Sequence, residues 1–170
     1  MSPEAAPLIV SALFGPKDFS WFDGLRRAHF PPERNQLPAH LTLFHHLPPS
    51  LESELRQRLA EAVRAPRPRA QANGIMNLGG GVAIRIVSPA LSAIRDSLAD
   101  AFCGLLTPQD AAGWRPHVTI QNKVSPLQAK ALHGALADGF QARDIVIEGL
   151  AAWRYRGGPW EPVARHKFRG

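Results

Sequence analysis

Residues 37–50 read LPAHLTLFHHLPPS, and residues 114–126 read WRPHVTIQNKVSP. Behind a proline, each sets a histidine, an apolar residue, a threonine and a second apolar residue. The two histidines, His40 and His117, stand 77 residues apart. A single His-x-Thr triplet is common and usually marks an ordinary hydrogen-bonded histidine. Two copies at matched places are a different matter, because they make the chain a duplication and call for a fold with two related halves.

The flanks support the duplication. An apolar, β-branched run at 6–14 predicts a buried first strand. A helix is expected over 16–30, with Phe19, Phe22, Leu25 and Phe30 at helical spacing and Pro31–Pro32 closing it. The His-Thr strand follows at 40–47, then a helix at 49–65 with Ser50 as N-cap and a stripe of Leu51, Leu55, Leu59 and Val63. A hairpin over 66–78 and 81–88 turns at Gly79–Gly81.

The second half repeats this order. It has a helix at 89–106, a turn-rich loop, a strand at 115–124 and a helix at 126–140. Ser125 can cap that last helix, with Pro126 at its first position. A hairpin joins 144–155 to 160–168. The pattern predicts one bilobal α+β domain over 1–170, with motif-bearing repeats at 16–88 and 89–168. Its lobes would be related by a pseudo-twofold axis, with the motifs facing each other across a cleft.

Composition sets the boundaries. With 45% hydrophobic and 20% charged residues, the 170-residue chain can bury a real core. No apolar run reaches the roughly 18 residues of a membrane span. The acidic start MSPEAAP does not resemble a signal peptide. A single cysteine, Cys103, excludes an internal disulfide, is expected to be buried on the 89–106 helix, and fits a cytoplasmic setting. A formal charge of +6 favours phosphate-bearing partners without proving them.

On a strand, residues i and i+2 share a face, roughly 6.5–7 Å apart. His40 and Thr42 therefore point one way and Leu41 and Leu43 the other. By the same rule His117, Thr119, Gln121 and Lys123 share a face, with Val118, Ile120 and Val124 behind. Two imidazoles and two hydroxyls suit in-line attack on a phosphodiester. One histidine removes a proton from the nucleophile, the other protonates the leaving oxygen, and the threonines hold the non-bridging oxygens. Histidines near neutral pKa supply both transfers, so no metal or other cofactor is expected.

HLTL and HVTI resemble the paired signature of the two-histidine (2H) phosphoesterases, especially the 2′-5′ RNA ligase, or RNA 2′,3′-cyclic phosphodiesterase, branch. The likeness covers almost the whole chain. It implies antiparallel sheets lining the cleft and opening of 2′,3′-cyclic phosphates to 2′-phosphomonoesters, with reversible 2′-5′ ligation in some members. It also implies His40 as proton donor to the leaving 3′-oxygen, His117 as acceptor from water, and Thr42 and Thr119 as phosphate holders. Substrates would be an RNA end or a cyclic nucleotide, and the protein a monomer. Two places depart from relatives: FHHLPPS follows the first motif where Phe-Leu-Gly is common, and Gln121 stands where many carry a basic residue. Ligation, a 2′-5′-linked oligonucleotide substrate and a non-catalytic RNA-binding module are the rival readings.

Four further residues are candidates for substrate contact: Arg115, Lys123, Trp153 and Tyr155. The last two belong to a tail in which aromatics alternate with arginines, a pattern suited to base stacking. His45 and His46 lie on opposite faces by simple alternation, so only His46 would join His40, and a rim position is expected. His29, His133 and His166 carry no motif. NLGGGVAI leads into a strand and lacks the lysine of a phosphate-binding loop.

Overall fold

In the computed structural model, residues 6–170 are described. The acidic start at residues 1–5 lies outside them. Seven strands and five α-helices follow in the order β1 (Leu8–Phe14), α1 (Pro16–His29), β2 (Leu41–Leu47), α2 (Glu52–Ala62), β3 (Arg69–Asn77) and β4 (Val82–Val87). Then come α3 (Pro89–Ala101), α4 (Pro108–Ala111), β5 (His117–Gln121), α5 (Pro126–Ala137), β6 (Arg143–Arg154) and β7 (Glu161–Lys167). All strand pairings between these elements are antiparallel, so the fold is α+β.

The strand order is β2-β1-β6-β3-β4-β5, with β7 also on β6. Twelve-residue β6 serves two groups of strands. Its C-terminal half lies between β1 and β7, and its first residues pair with β3. The halves of the sequence are consequently not the halves of the fold. Motif strand β2 sits in a sheet with the hairpin β6–β7 of the second repeat, and β5 sits on the hairpin β3–β4 of the first. Each motif strand is at an end of the order, and the two ends approach one another.

Local sequence accounts for most boundaries. Helix α2 buries Leu51, Leu55, Leu59 and Val63 as the stripe requires, each worth about 1.5–3 kcal/mol when fully covered. Its start differs from expectation. Residues Pro49–Leu51 form a 3₁₀ turn, the N-cap is Leu51, and Ser50 makes no capping bond. Helix α5 has a full capping box, with Ser125 and Gln128 bonding reciprocally. The β3–β4 turn uses Gly79 at φ +89°, and at Gly81 a Cβ would sit 1.9 Å from the Gln121 carbonyl oxygen. Cys103 is exposed and not a core residue, because α3 ends at Ala101 and the following turn carries it outward. No helix of the described residues is long and apolar enough to cross a membrane.

Candidate active site

Both motif histidines are held in the same way. His40 Nδ1 lies 2.9 Å from the Pro38 carbonyl and His117 Nδ1 lies 2.7 Å from the Arg115 carbonyl. A carbonyl only accepts, so Nδ1 carries the hydrogen in each ring and Nε2 is left for chemistry. His40, Thr42, His117 and Thr119 line one cavity of about 260 Å³ with His45, Asp110, Trp114, Arg115 and Trp160. The chain thus brings together the four residues that the duplication pointed to.

The strands are braced from the opposite repeat. Arg26 of α1, 4% exposed, donates Nη1–H to the Thr119 carbonyl at 2.9 Å and Nε–H to Leu37 O and Asn35 Oδ1. Arg95 of α3, 5% exposed, donates to Leu43 O at 3.2 Å and Asp110 O at 2.6 Å. Trp114 donates its indole N–H to Thr42 O at 3.0 Å. Burial lowers the pKa of both guanidinium groups, offset partly by Asp23 for Arg26 and by Asp110 and Asp96 for Arg95. Each arginine also covers an aromatic ring, Phe30 at 4.1 Å and Phe44 at 4.3 Å. Sequence reading passed over both, since neither belongs to a motif.

His40 differs from His117 in its surroundings. Its ring meets Trp160 at a centroid distance of 4.6 Å, and Trp160 in turn lies 6.1 Å from Trp153. Burial pulls the His40 pKa down to about 4; the Pro38 carbonyl acts the other way, and Arg26, His45 and His117 add to the lowering. His40 also lines a second, largely apolar cavity of about 690 Å³, together with Phe14, Phe19, Leu37, Trp153, Trp160 and Arg165 among others. Trp153 is fixed there by its indole N–H donating to Ser11 Oγ at 2.8 Å. A third cavity, of about 460 Å³, lies beside His117 and includes Asn77, Arg85 and Arg115.

Of the four substrate-contact candidates, Arg115 and Trp153 line these cavities. Lys123 does not, because β5 stops at Gln121 and Lys123 turns away at φ +63°. Tyr155 is also outside: β6 ends at Arg154 and Tyr155 is 44% exposed. In the same tail, Arg154 pairs with Glu52 and Arg156 with Glu161, while Arg165 and Lys167 face the apolar cavity. Gln121 is 7% exposed with its Oε1 unpartnered and lies outside the cavities lined by the motif residues.

The expectation that His46 would join His40 is overturned, although both residues are exposed, as a rim position requires. Strand β2 carries an extra residue relative to β1 between Thr42 and Phe44, and another between Phe44 and Leu47. These bulges put Leu43 and Phe44 both in the core and shift the alternation by one. His45, not His46, therefore lines the motif cavity. Its partner Asp110 belongs to α4, a helix expected only as loop; Thr107 caps it through Asp110 N–H, a Thr-x-x-Asp signal legible in the sequence.

Comparison with known proteins agrees with this geometry. The family model described as the 2′-5′ RNA ligase superfamily matches residues 14–159. No curated protein matches the chain. Among solved structures, Escherichia coli LigT complexed with 3′-AMP is similar at TM-score 0.62 and 16% identity, covering 98% of this chain and 99% of that one. TT0787 of Thermus thermophilus is similar at TM-score 0.67 and 13% identity, covering 96% and 98%. A structure described as a phosphoesterase is similar at 0.59 and 18%, covering 97% and 99%.

Proposed function

The chain belongs to the 2′-5′ RNA ligase superfamily, a group of phosphoesterases and ligases, and from that membership we propose that it opens 2′,3′-cyclic phosphates, on RNA ends or nucleotides, to 2′-phosphomonoesters without a metal. The observation that carries the reading is the pairing of two histidines, each with Nδ1 spent on a carbonyl two residues back, in one cavity with both motif threonines. Such an arrangement fits proton transfer on the two sides of one phosphorus atom.

In this mechanism His117 Nε2 takes a proton as a water oxygen bonds to phosphorus. The P–O3′ bond breaks, and His40 Nε2–H delivers its proton to O3′, leaving a free 3′-hydroxyl and a 2′-phosphate. Thr42 and Thr119 donate to the non-bridging oxygens as charge grows there. The division of roles has support in the surroundings. The leaving oxygen belongs to the ribose, and the largely apolar cavity of about 690 Å³ with Trp153 and Trp160 adjoins His40. In the free protein, burial keeps His40 neutral at pH 7. An arriving phosphate anion and the face of Trp160 both favour its charged form. LigT, a structural neighbour at 14–18% identity, has been solved with 3′-AMP, NADP+ and ATP, which agrees with a nucleotide-binding cleft.

A second reading draws on the cavity beside His117. A 5′-hydroxyl of another strand could replace water there, with Arg85 and Arg115 near its phosphates, giving 2′-5′ ligation by the same transfers run with a different nucleophile. The test is hydrolysis of a short RNA ending in 2′,3′-cyclic phosphate, with EDTA present, by wild type, His40→Ala and His117→Ala. The expected result is a 2′-phosphate product formed by wild type alone. Turnover abolished by EDTA, or retained in either variant, contradicts the mechanism; binding without turnover in wild type favours the RNA-binding module.

A further inference from the structure

Asp110 is 1% exposed, and its carboxylate faces the second bulge of β2. It accepts the His45 backbone N–H at 2.9 and 3.1 Å on its two oxygens and the His46 backbone N–H at 2.9 Å. His45 Nδ1 stands 3.2 Å away. The nearby Arg95 is spent on the Asp110 backbone carbonyl. The His45 ring is thus the one side-chain partner of this buried carboxylate among the described residues. Burial would push Asp110 up, but the bonds from the His45 ring and the two amides outweigh it and leave its pKa below the ordinary value.

An ionised carboxylate accepts and does not donate, so His45 Nδ1 carries the hydrogen. The ring's free nitrogen is then Nε2. The ring lines the same 260 Å³ cavity as His40, Thr42, His117 and Thr119. It is too exposed, with 43% of its side chain accessible, to serve the core. Besides bonding Asp110, the ring adds a second nitrogen, Nε2, which donates when the ring is an imidazolium, with a buried negative charge behind it.

We propose that His45 is a third imidazole of the site, which binds a phosphoryl oxygen of the substrate and product through Nε2–H with Asp110 as its counter-charge. This rests on the phosphoesterase reading for what occupies the cavity. His40 and His117 move protons; His45 holds charge. The Nε2–H contact requires the imidazolium form, which with an anion in the cavity lies between two negative groups and gains from both.

The test is calorimetric titration of wild type, His45→Phe and His45→Gln with adenosine 2′-monophosphate and, separately, inorganic phosphate. The aromatic variant keeps the ring shape and removes both nitrogens, while the glutamine amide can donate from near the Nε2 position. Loss of one charge-assisted hydrogen bond predicts affinity weakened about tenfold to a hundredfold in His45→Phe, with a clear recovery in His45→Gln. Equal affinity in wild type and His45→Phe, or no recovery with glutamine, overturns the proposal. Melting temperatures of the variants separate a folding defect from a lost contact. Titration requires no turnover, so a wild type that fails to hydrolyse cyclic phosphates overturns the phosphodiesterase reading while the His45 contact is judged by binding alone.

Discussion

Strands β2 and β5 carry the same motif and are supported by related contacts, yet they differ in shape. In β5 the alternation is strict: His117 and Thr119 face the cleft, while Val118 and Ile120 are fully buried. In β2 two bulges interrupt it, so the core takes two consecutive residues and His45 enters the cleft. The histidines differ too. His40 is pressed against Trp160 beside an apolar cavity, and His117 adjoins a cavity that includes Arg85 and Arg115. The two motif strands thus bring two like groups to one cavity, and the interrupted alternation of β2 gives each group its own surroundings.

The largest effect expected from disturbing this pair is loss of either imidazole. His40→Ala and His117→Ala should each lower kcat about 10²–10⁴-fold. In the double variant the losses should not multiply if, as proposed, the two act on one transition state. Single-turnover rates check both points.

Next come the braces. Arg26→Met removes the donor from Thr119 O and Leu37 O, and Arg95→Met the donor from Leu43 O and Asp110 O. Each orphaned buried carbonyl costs about 1–3 kcal/mol. Urea midpoints should fall in both variants, with activity reduced even where the protein is folded. If only one is destabilised, the bracing of the two motif strands is not reciprocal.

A subtler contrast concerns pH. With His40 at about 4 in the free protein, one limb of the kcat/KM profile should lie near that pH. Trp160→Leu should move the limb upward, because burial is the main cause of the depression. The unfolded chain protonates His40 near 6.5, so the unfolded state holds the extra proton between about 6.5 and 4. Stability should therefore fall as pH drops through that window, and less so in His40→Phe. The smallest effects belong to Lys123→Ala and Tyr155→Ala, which should leave KM within about twofold if hydrogen-bond contacts worth ~1 kcal/mol are absent.

The sequence made the repeated elements, the four motif residues and the stripe on α2 legible, because each rests on a short-range period. It left the strand exchange between repeats unread, since pairing partners for β2 and β5 depend on contacts distant in sequence. Periodicity also failed where bulges intervene, so it chose His46 over His45, and it extended β5 to a lysine that lies in a left-handed turn. Arg26 and Arg95 escaped because a buried arginine bonded to carbonyls leaves no pattern of charged partners along the chain. The two places read as departures from the family pattern fall differently: the one after the first motif brings His45 into the cavity, whereas Gln121 is buried away from it.

The division of labour between the two strands is tested most directly with a 2′,3′-cyclic substrate bearing sulfur at the 3′ bridging position. A thiolate leaves without needing a proton, so general-acid help becomes dispensable while activation of water does not. His40→Ala should then approach the wild-type rate, and His117→Ala should remain as slow as with the oxygen substrate. Rescue of His117→Ala, or of neither variant, would contradict the assignment of acid to β2 and base to β5.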